Sequence, residues 1–191
     1  MKNYLILFFT ILSGLQCITA QQIKSPSEFL GYELGSQFSR HADVVNYFSH
    51  VAENSDLVTY QTYGKTNERR SLTYAIISSE ENMSGLEMIQ KNHLSSTNKT
   101  DAENNADKAI VWLSYNVHGN EASSTEAAMK TIYELVTNRK EWLKNTVVII
   151  DPCVNPDGRD RYANWYNQVK AEPYNISQEA AEHHEPWPGG K

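Results

Sequence analysis

The chain is poor in cysteine. Its 191 residues carry two, Cys17 and Cys153, and Cys17 lies in an N-terminal stretch that reads as a cleaved leader. Cys153 would then stand alone, which excludes an intrachain disulfide in a compartment that would allow one. No evident base lies beside it, so packing at a strand end is its expected role rather than nucleophilic chemistry. Positive charge is scarce too: 17 Lys and Arg face 23 Asp and Glu, a formal net charge of −6. Scattered lysines on a net acidic chain argue against nucleic acid or an anionic membrane as partner. After the leader no apolar run approaches the roughly 20 residues that cross a bilayer. The sequence contains no Gly-x-Ser-x-Gly elbow, no glycine-rich phosphate loop and no internal repeat, so nothing supports serine-hydrolase or nucleotide chemistry.

What the chain does have begins with that leader. Lys2 precedes the apolar run Tyr4–Leu12, and small and polar residues lead to Ala20. This is the pattern of a secretory signal peptide over residues 1–20, with cleavage after Ala20. The run is too short for an anchor, and Gly14-Leu15-Gln16 before Cys17 matches a lipoprotein signal poorly. The expected location is secreted or periplasmic, with residues 21–191 as the working chain. Asn82, Asn98 and Asn175 each begin an Asn-x-Ser/Thr acceptor pattern, which counts only in a eukaryotic source.

Residues 25–35 are irregular. Val44, Tyr47, Phe48 and Val51 recur at helical spacing over residues 40–53. Residues 57–63 and 71–78 alternate as two strands of a hairpin, whose link, with Arg69 and Arg70, reads as a solvated loop. A short helix is expected over 84–94 and a polar surface loop over 95–108. Residues 109–116 read as a buried strand. The helix after it has Ala128, Met129, Ile132, Tyr133, Leu135 and Val136 on one face, with Ser123 and Glu126 at capping-box spacing. Thr146–Ile150 is a second buried strand, ended by the turn Asn155-Pro156-Asp157-Gly158. Strand, helix, strand forms a βαβ unit, so the two strands should run parallel. The loops after both would then leave the same sheet edge, where open α/β sheets place their sites. Residues 172–191, rich in Pro and Gly, follow no strand or helix pattern beyond a short run at 177–182, and His183 and His184 read as loop residues rather than ligands.

One of those loops holds His118-Gly119-Asn120-Glu121. On a strand, residues three apart face opposite ways; in a turn or a first helical turn the two side chains meet. Gly119 suits a tight backbone there. One nitrogen and one oxygen donor suit zinc, whose catalytic sites use sets such as two His and one Glu plus a water. Taken alone, a His-x-x-Glu pair is more often a surface pair, or a hydrogen-bonded structural pair. Its position at the active edge is what raises it above chance.

His118-Gly119-Asn120-Glu121 with its preceding strand, and Asp151-Pro152-Cys153-Val154-Asn155-Pro156-Asp157-Gly158-Arg159-Asp160-Arg161, together resemble the N-terminal half of the zinc carboxypeptidases, over about residues 28 to 190. The resemblance implies an α/β fold with a mixed, largely parallel sheet and helices on both faces, of which residues 21–191 form the N-terminal part. It implies Zn2+ as cofactor, with His118 and Glu121 as the first two ligands. A second histidine, a glutamate general base and an Asn-Arg grip on the substrate's terminal carboxylate have no match, so the chain reads as a fragment, inactive by itself. The family's Trp-Arg dipeptide is also unmatched, since Tyr166 follows Trp165. Arg159 and Arg161 are the nearby alternatives for the oxyanion arginine, with Arg161 favoured. Surface pairs with Asp157 or Asp160 are the plainer reading of both.

The expected function is therefore a secreted zinc-dependent carboxypeptidase that trims C-terminal residues from peptide or protein substrates, cell-wall peptides among them. The alternative is a non-catalytic secreted module that uses the same cleft to bind peptide.

Overall fold

The computed structural model describes residues 22–97, 108–171 and 175–185. The signal peptide expected over residues 1–20, the acceptor pattern at Asn98, and residues 172–174 and 186–191 of the Pro- and Gly-rich tail lie outside the described residues.

A short helix, α1 (Pro26–Leu30), opens the described chain. Sequence periodicity missed it because its five residues are too few to show a period. A capping box between Ser25 and Glu28 starts it, and Gly31 ends it in the left-handed conformation, φ 78°. Helix α2 (His41–Glu53) follows, then the hairpin strands β1 (Val58–Lys65) and β2 (Ser71–Ile77). Two helices, α3 (Glu80–Ser84) and α4 (Leu86–Thr97), replace the one short helix expected, broken at Gly85. Next come β3 (Ala109–Ser114), α5 (Ser124–Thr137), a 3-10 turn over Lys140–Lys144, β4 (Thr146–Asp151) and α6 (Pro156–Val169).

The four strands form one mixed sheet in the order β1-β2-β4-β3. β3 and β4 pair in parallel, Ile110 opposite Val147 through Leu113 opposite Ile150, as the βαβ reading required. β1–β2 and β2–β4 are antiparallel, so among the described strands the parallel character rests on one pair.

Helices lie on both faces. Alternation sends Ala75, Ile77, Val148 and Ile150 to one side, where they pack with Val44, Tyr47, Phe48 and Val51 of α2 and with Ala128, Met129 and Ile132 of α5. The Val, Ile, Met and Phe side chains among these are each worth about 1.5–3 kcal/mol when fully buried. Ile76, Ile110, Val147 and Ile149 face the other side, where Leu86 and Ile89 of α4 cover them across a cleft of about 250 Å³. No helix among the described residues is long and apolar enough to cross a membrane.

β3 differs from expectation. It was expected to be buried, yet Ile110 and Val111 are about 40% exposed and Trp112 is 67% exposed. The strand is an edge: only β4 pairs with it among the described residues, so its apolar composition is not matched by cover.

Candidate metal centre

β3 and β4 run parallel, so the segments after Ser114 and Asp151 emerge side by side. Tyr115 N–H donates to Asp151 O and Val154 N–H to Tyr115 O, which extends the pairing past the strand ends. Asn116 then turns the chain with a left-handed backbone, φ 55°. His118 to Glu121 form a turn closed by Glu121 N–H donating to His118 O at 3.2 Å. The two side chains meet: His118 Nδ1 lies 3.1 Å from Glu121 Oε1. Both remain more than half exposed. Donors about 2.0–2.1 Å from a tetrahedral zinc sit about 3.3 Å apart, so this pair already has the separation of two ligands of one ion. No third His, Cys, Asp or Glu joins them among the described residues. The donors present fit zinc in type and spacing but make an incomplete set.

The second motif buttresses this turn, residue by residue. Asn155 caps α6 by accepting from Gly158 N–H at 3.0 Å, and its amide donates to Val117 O at 3.1 Å. Gly119 packs directly on Gly158: a Cβ at 119 would fall 2.2 Å from the Gly158 carbonyl carbon. Gly119 does not have positive φ, so it is needed for close approach rather than for the turn conformation that the sequence suggested. Asp157 accepts from Thr66 Oγ1 at 2.7 Å and Arg70 Nη1 at 2.8 Å. Asp160 accepts from His41 N–H at 2.7 Å and Arg70 Nε at 2.7 Å. Glu68 also pairs with Arg70.

The hairpin tip is thus not a solvated loop. β2 runs antiparallel to β4, so its start lies at the active edge, and Arg70 clamps it to the first turn of α6. Partial burial works to raise the Asp157 pKa. The Thr66 and Arg70 hydrogen bonds outweigh it, so the carboxyl lies below its usual value. Asp151, buried below the turn, shifts the other way. Burial raises its carboxyl above the usual range, against the lowering effect of the Tyr63 hydroxyl, which donates at 2.6 Å.

Arg159 and Arg161 have different surroundings. Arg159 is fully buried: Nη2 donates to Glu126 Oε1 at 2.6 Å, Nε to Ser39 O at 2.9 Å, and Nη1 to Ala122 O. Its guanidinium is committed to the interior. The Ser123–Glu126 capping box does not form for the same reason. Ser123 makes no side-chain cap bond, and the Glu126 carboxylate is taken by Arg159, Ser39 N–H and Thr125. Arg161, two residues further and therefore on the opposite side of α6, is 45% exposed and lies 3.6 Å from Glu185. Asp157 and Asp160, expected as partners of these arginines, serve Arg70 instead. His183 and His184 donate locally from Nε2 to Asn175 O and Gln178 O. Cys153 is buried, its thiol pushed up to about 12 chiefly by burial, in keeping with packing rather than reactivity.

A model of the zinc carboxypeptidase family matches residues 44–182, and the chain belongs to that family, whose members are zinc-dependent. No curated protein matches it. Among solved structures it is similar to a carboxypeptidase A from Helicoverpa armigera, with 25% identity and a TM-score of 0.49 over 83% of this chain and 32% of that one. It is also similar to bovine thrombin-activatable fibrinolysis inhibitor in complex with tick carboxypeptidase inhibitor. There the identity is 16% and the TM-score 0.48, over 76% of this chain and 40% of that one. The chain therefore spans about a third of the length of these two structures.

Proposed function

We propose that this chain is the N-terminal part of a secreted zinc carboxypeptidase that removes C-terminal residues from peptides, and that His118 and Glu121 are two of its metal ligands. The observation that carries this is the 3.1 Å approach of His118 Nδ1 to Glu121 Oε1 in a turn at the active edge of the sheet. Zinc bound there would lower the pKa of its water and polarise a scissile carbonyl. The chain's own residues hold the donors at the mouth of the parallel strand pair, half exposed and open to substrate. The third ligand and the general base come from outside the described residues. Between the two candidate arginines, the oxyanion role falls to Arg161, because Arg159 is wholly engaged in the interior.

The test uses the full-length protein with metal analysis and release of C-terminal amino acids from peptides, ordinary and cell-wall-derived. His118→Ala and Glu121→Ala should each lose zinc at least about 10²-fold more readily, since the remaining ligands compete poorly with water and buffer. The metal-free melting temperature should hold, because both side chains are exposed. Unchanged zinc stoichiometry in both variants sinks the metal reading. Zinc-loaded protein that binds peptide without hydrolysing it would favour the non-catalytic module.

Arg161→Ala should lower kcat by about 10²–10³-fold, the usual effect of removing one oxyanion donor, with zinc content unchanged. Near-normal turnover in that variant would remove Arg161 from the mechanism.

A further inference from the structure

Asn116 occupies an unusual position. It is buried, 3% exposed, in the left-handed backbone region that asparagine tolerates better than other residues with a side chain. Its amide nitrogen donates to His118 O at 2.7 Å and, at the long limit, to Glu121 O at 3.5 Å. Its amide oxygen accepts from Cys153 Sγ at 3.2 Å. The orientation of the amide follows from these partners, because two carbonyl oxygens can only accept.

The carbonyls that Asn116 gathers belong to the two metal-donor residues themselves. Only one backbone hydrogen bond closes the turn from within, Glu121 N–H to His118 O. Asn116 therefore closes it from below, while Cys153 fixes Asn116 to the segment after β4. Sequence periodicity hides this, since Asn116 reads as the last residue of the buried strand.

We infer that Asn116 is a positioning residue for the metal pair: its side-chain amide shapes the His118–Glu121 turn so that both donors meet on one ion. This rests on the zinc reading above. Groups that orient metal ligands typically change affinity by 10–100-fold when removed.

Asn116→Gly in the full-length protein keeps the left-handed backbone and deletes the amide. The zinc dissociation constant, measured by competition with a chromophoric chelator, should rise 10–100-fold, and the visible spectrum of the Co2+-substituted protein should change. Cys153→Ser keeps a donor to the Asn116 oxygen and should stay within about threefold of wild type, on the same scale of outer-shell effects. Asn82→Ala is the structural control. Asn82 is equally buried and holds Ser78 Oγ, Leu143 O and Lys144 O, remote in sequence from the turn. It should lower the melting temperature without changing zinc affinity.

Zinc affinity in Asn116→Gly within about threefold of wild type overturns the inference, as does an equal loss in Asn82→Ala, which would mark a general effect of destabilisation. A crystal structure of metal-free Asn116→Gly separates this inference from the zinc reading. If wild type binds no zinc, the zinc reading fails by itself. A His118–Glu121 pair that has opened then still supports positioning by Asn116, and one still at 3.1 Å overturns it. Should Asn116→Gly fail to fold, metal-free Asn116→Asp, equal in size and tolerated in the same backbone region, gives the same two structural outcomes.

Discussion

Glu126→Ala should destabilise the protein by about 3–5 kcal/mol, the usual consequence of leaving one member of a buried ion pair without its partner. Glu126 is 5% exposed and Arg159 fully buried, so water cannot replace the lost carboxylate. The carboxylate also accepts from Ser39 N–H at 2.7 Å and Thr125 Oγ1 at 3.0 Å, and both donors would be orphaned. For a domain of this size the loss corresponds to a melting temperature lower by about 6–20 °C. Glu126→Gln keeps the shape and one acceptor oxygen and should cost less than half as much. An apolar pair, Glu126→Leu with Arg159→Met, should recover only part of the loss. Arg159 also satisfies Ser39 O and Ala122 O, which no hydrocarbon can do. Thermal unfolding of the three variants decides the matter, and Glu126→Ala melting within about 2 °C of wild type would show that this network holds nothing together.

That network marks the limit of what the sequence makes legible. The parallel β3–β4 pair and the helix between them follow from periodicity, which is local and leaves a trace in neighbouring residues. Asn155-Pro156-Asp157-Gly158, read as a turn, is instead the capped start of the unexpected helix α6 (Pro156–Val169). The meeting of His118 and Glu121 follows from a spacing of three in a turn. The ties that hold the site do not follow, because each joins residues far apart in the chain. Arg70 reaches Asp157 and Asp160 across 87 and 90 residues, and Arg159 reaches Ser39 across 120. A charged pair such as Arg69-Arg70 in a polar link looks solvated until the fold brings carboxylates to it. Ser123–Glu126 misleads for the same reason: the local capping pattern is present, but a buried guanidinium competes for the carboxylate and wins. β3 misleads in the opposite sense, since apolar composition reports a tendency to be buried and not whether a neighbour is there to do it.

Gly119→Ala should damage the site more than its one added methyl suggests. The new Cβ would lie 2.2 Å from Gly158 C and 2.3 Å from Gly158 O, and both obstacles are backbone. No rotamer change can relieve such a contact, so the His118–Glu121 turn must lift away from the first turn of α6. Overpacking of this kind typically costs about 1–3 kcal/mol of stability. The larger effect falls on function, because a displacement of about 1 Å at a reacting site can cost about 10²-fold in rate. Zinc affinity and kcat/KM should each fall by about that factor or more, while far-UV circular dichroism stays native. Gly158→Ala makes the useful comparison. The atoms nearest its Cβ belong to the Asn155 side chain, at 2.7 Å, which can rotate, though its amide would then leave Val117 O. That variant should lose less zinc affinity than Gly119→Ala. Gly85→Ala, with nothing nearer than 3.7 Å, should lose none. The ordering follows from what each methyl meets: fixed backbone at 119, a movable side chain at 158, open contact at 85. If Gly119→Ala retained zinc within about threefold of wild type, the turn would have to be free of α6, contrary to the close packing that defines this site.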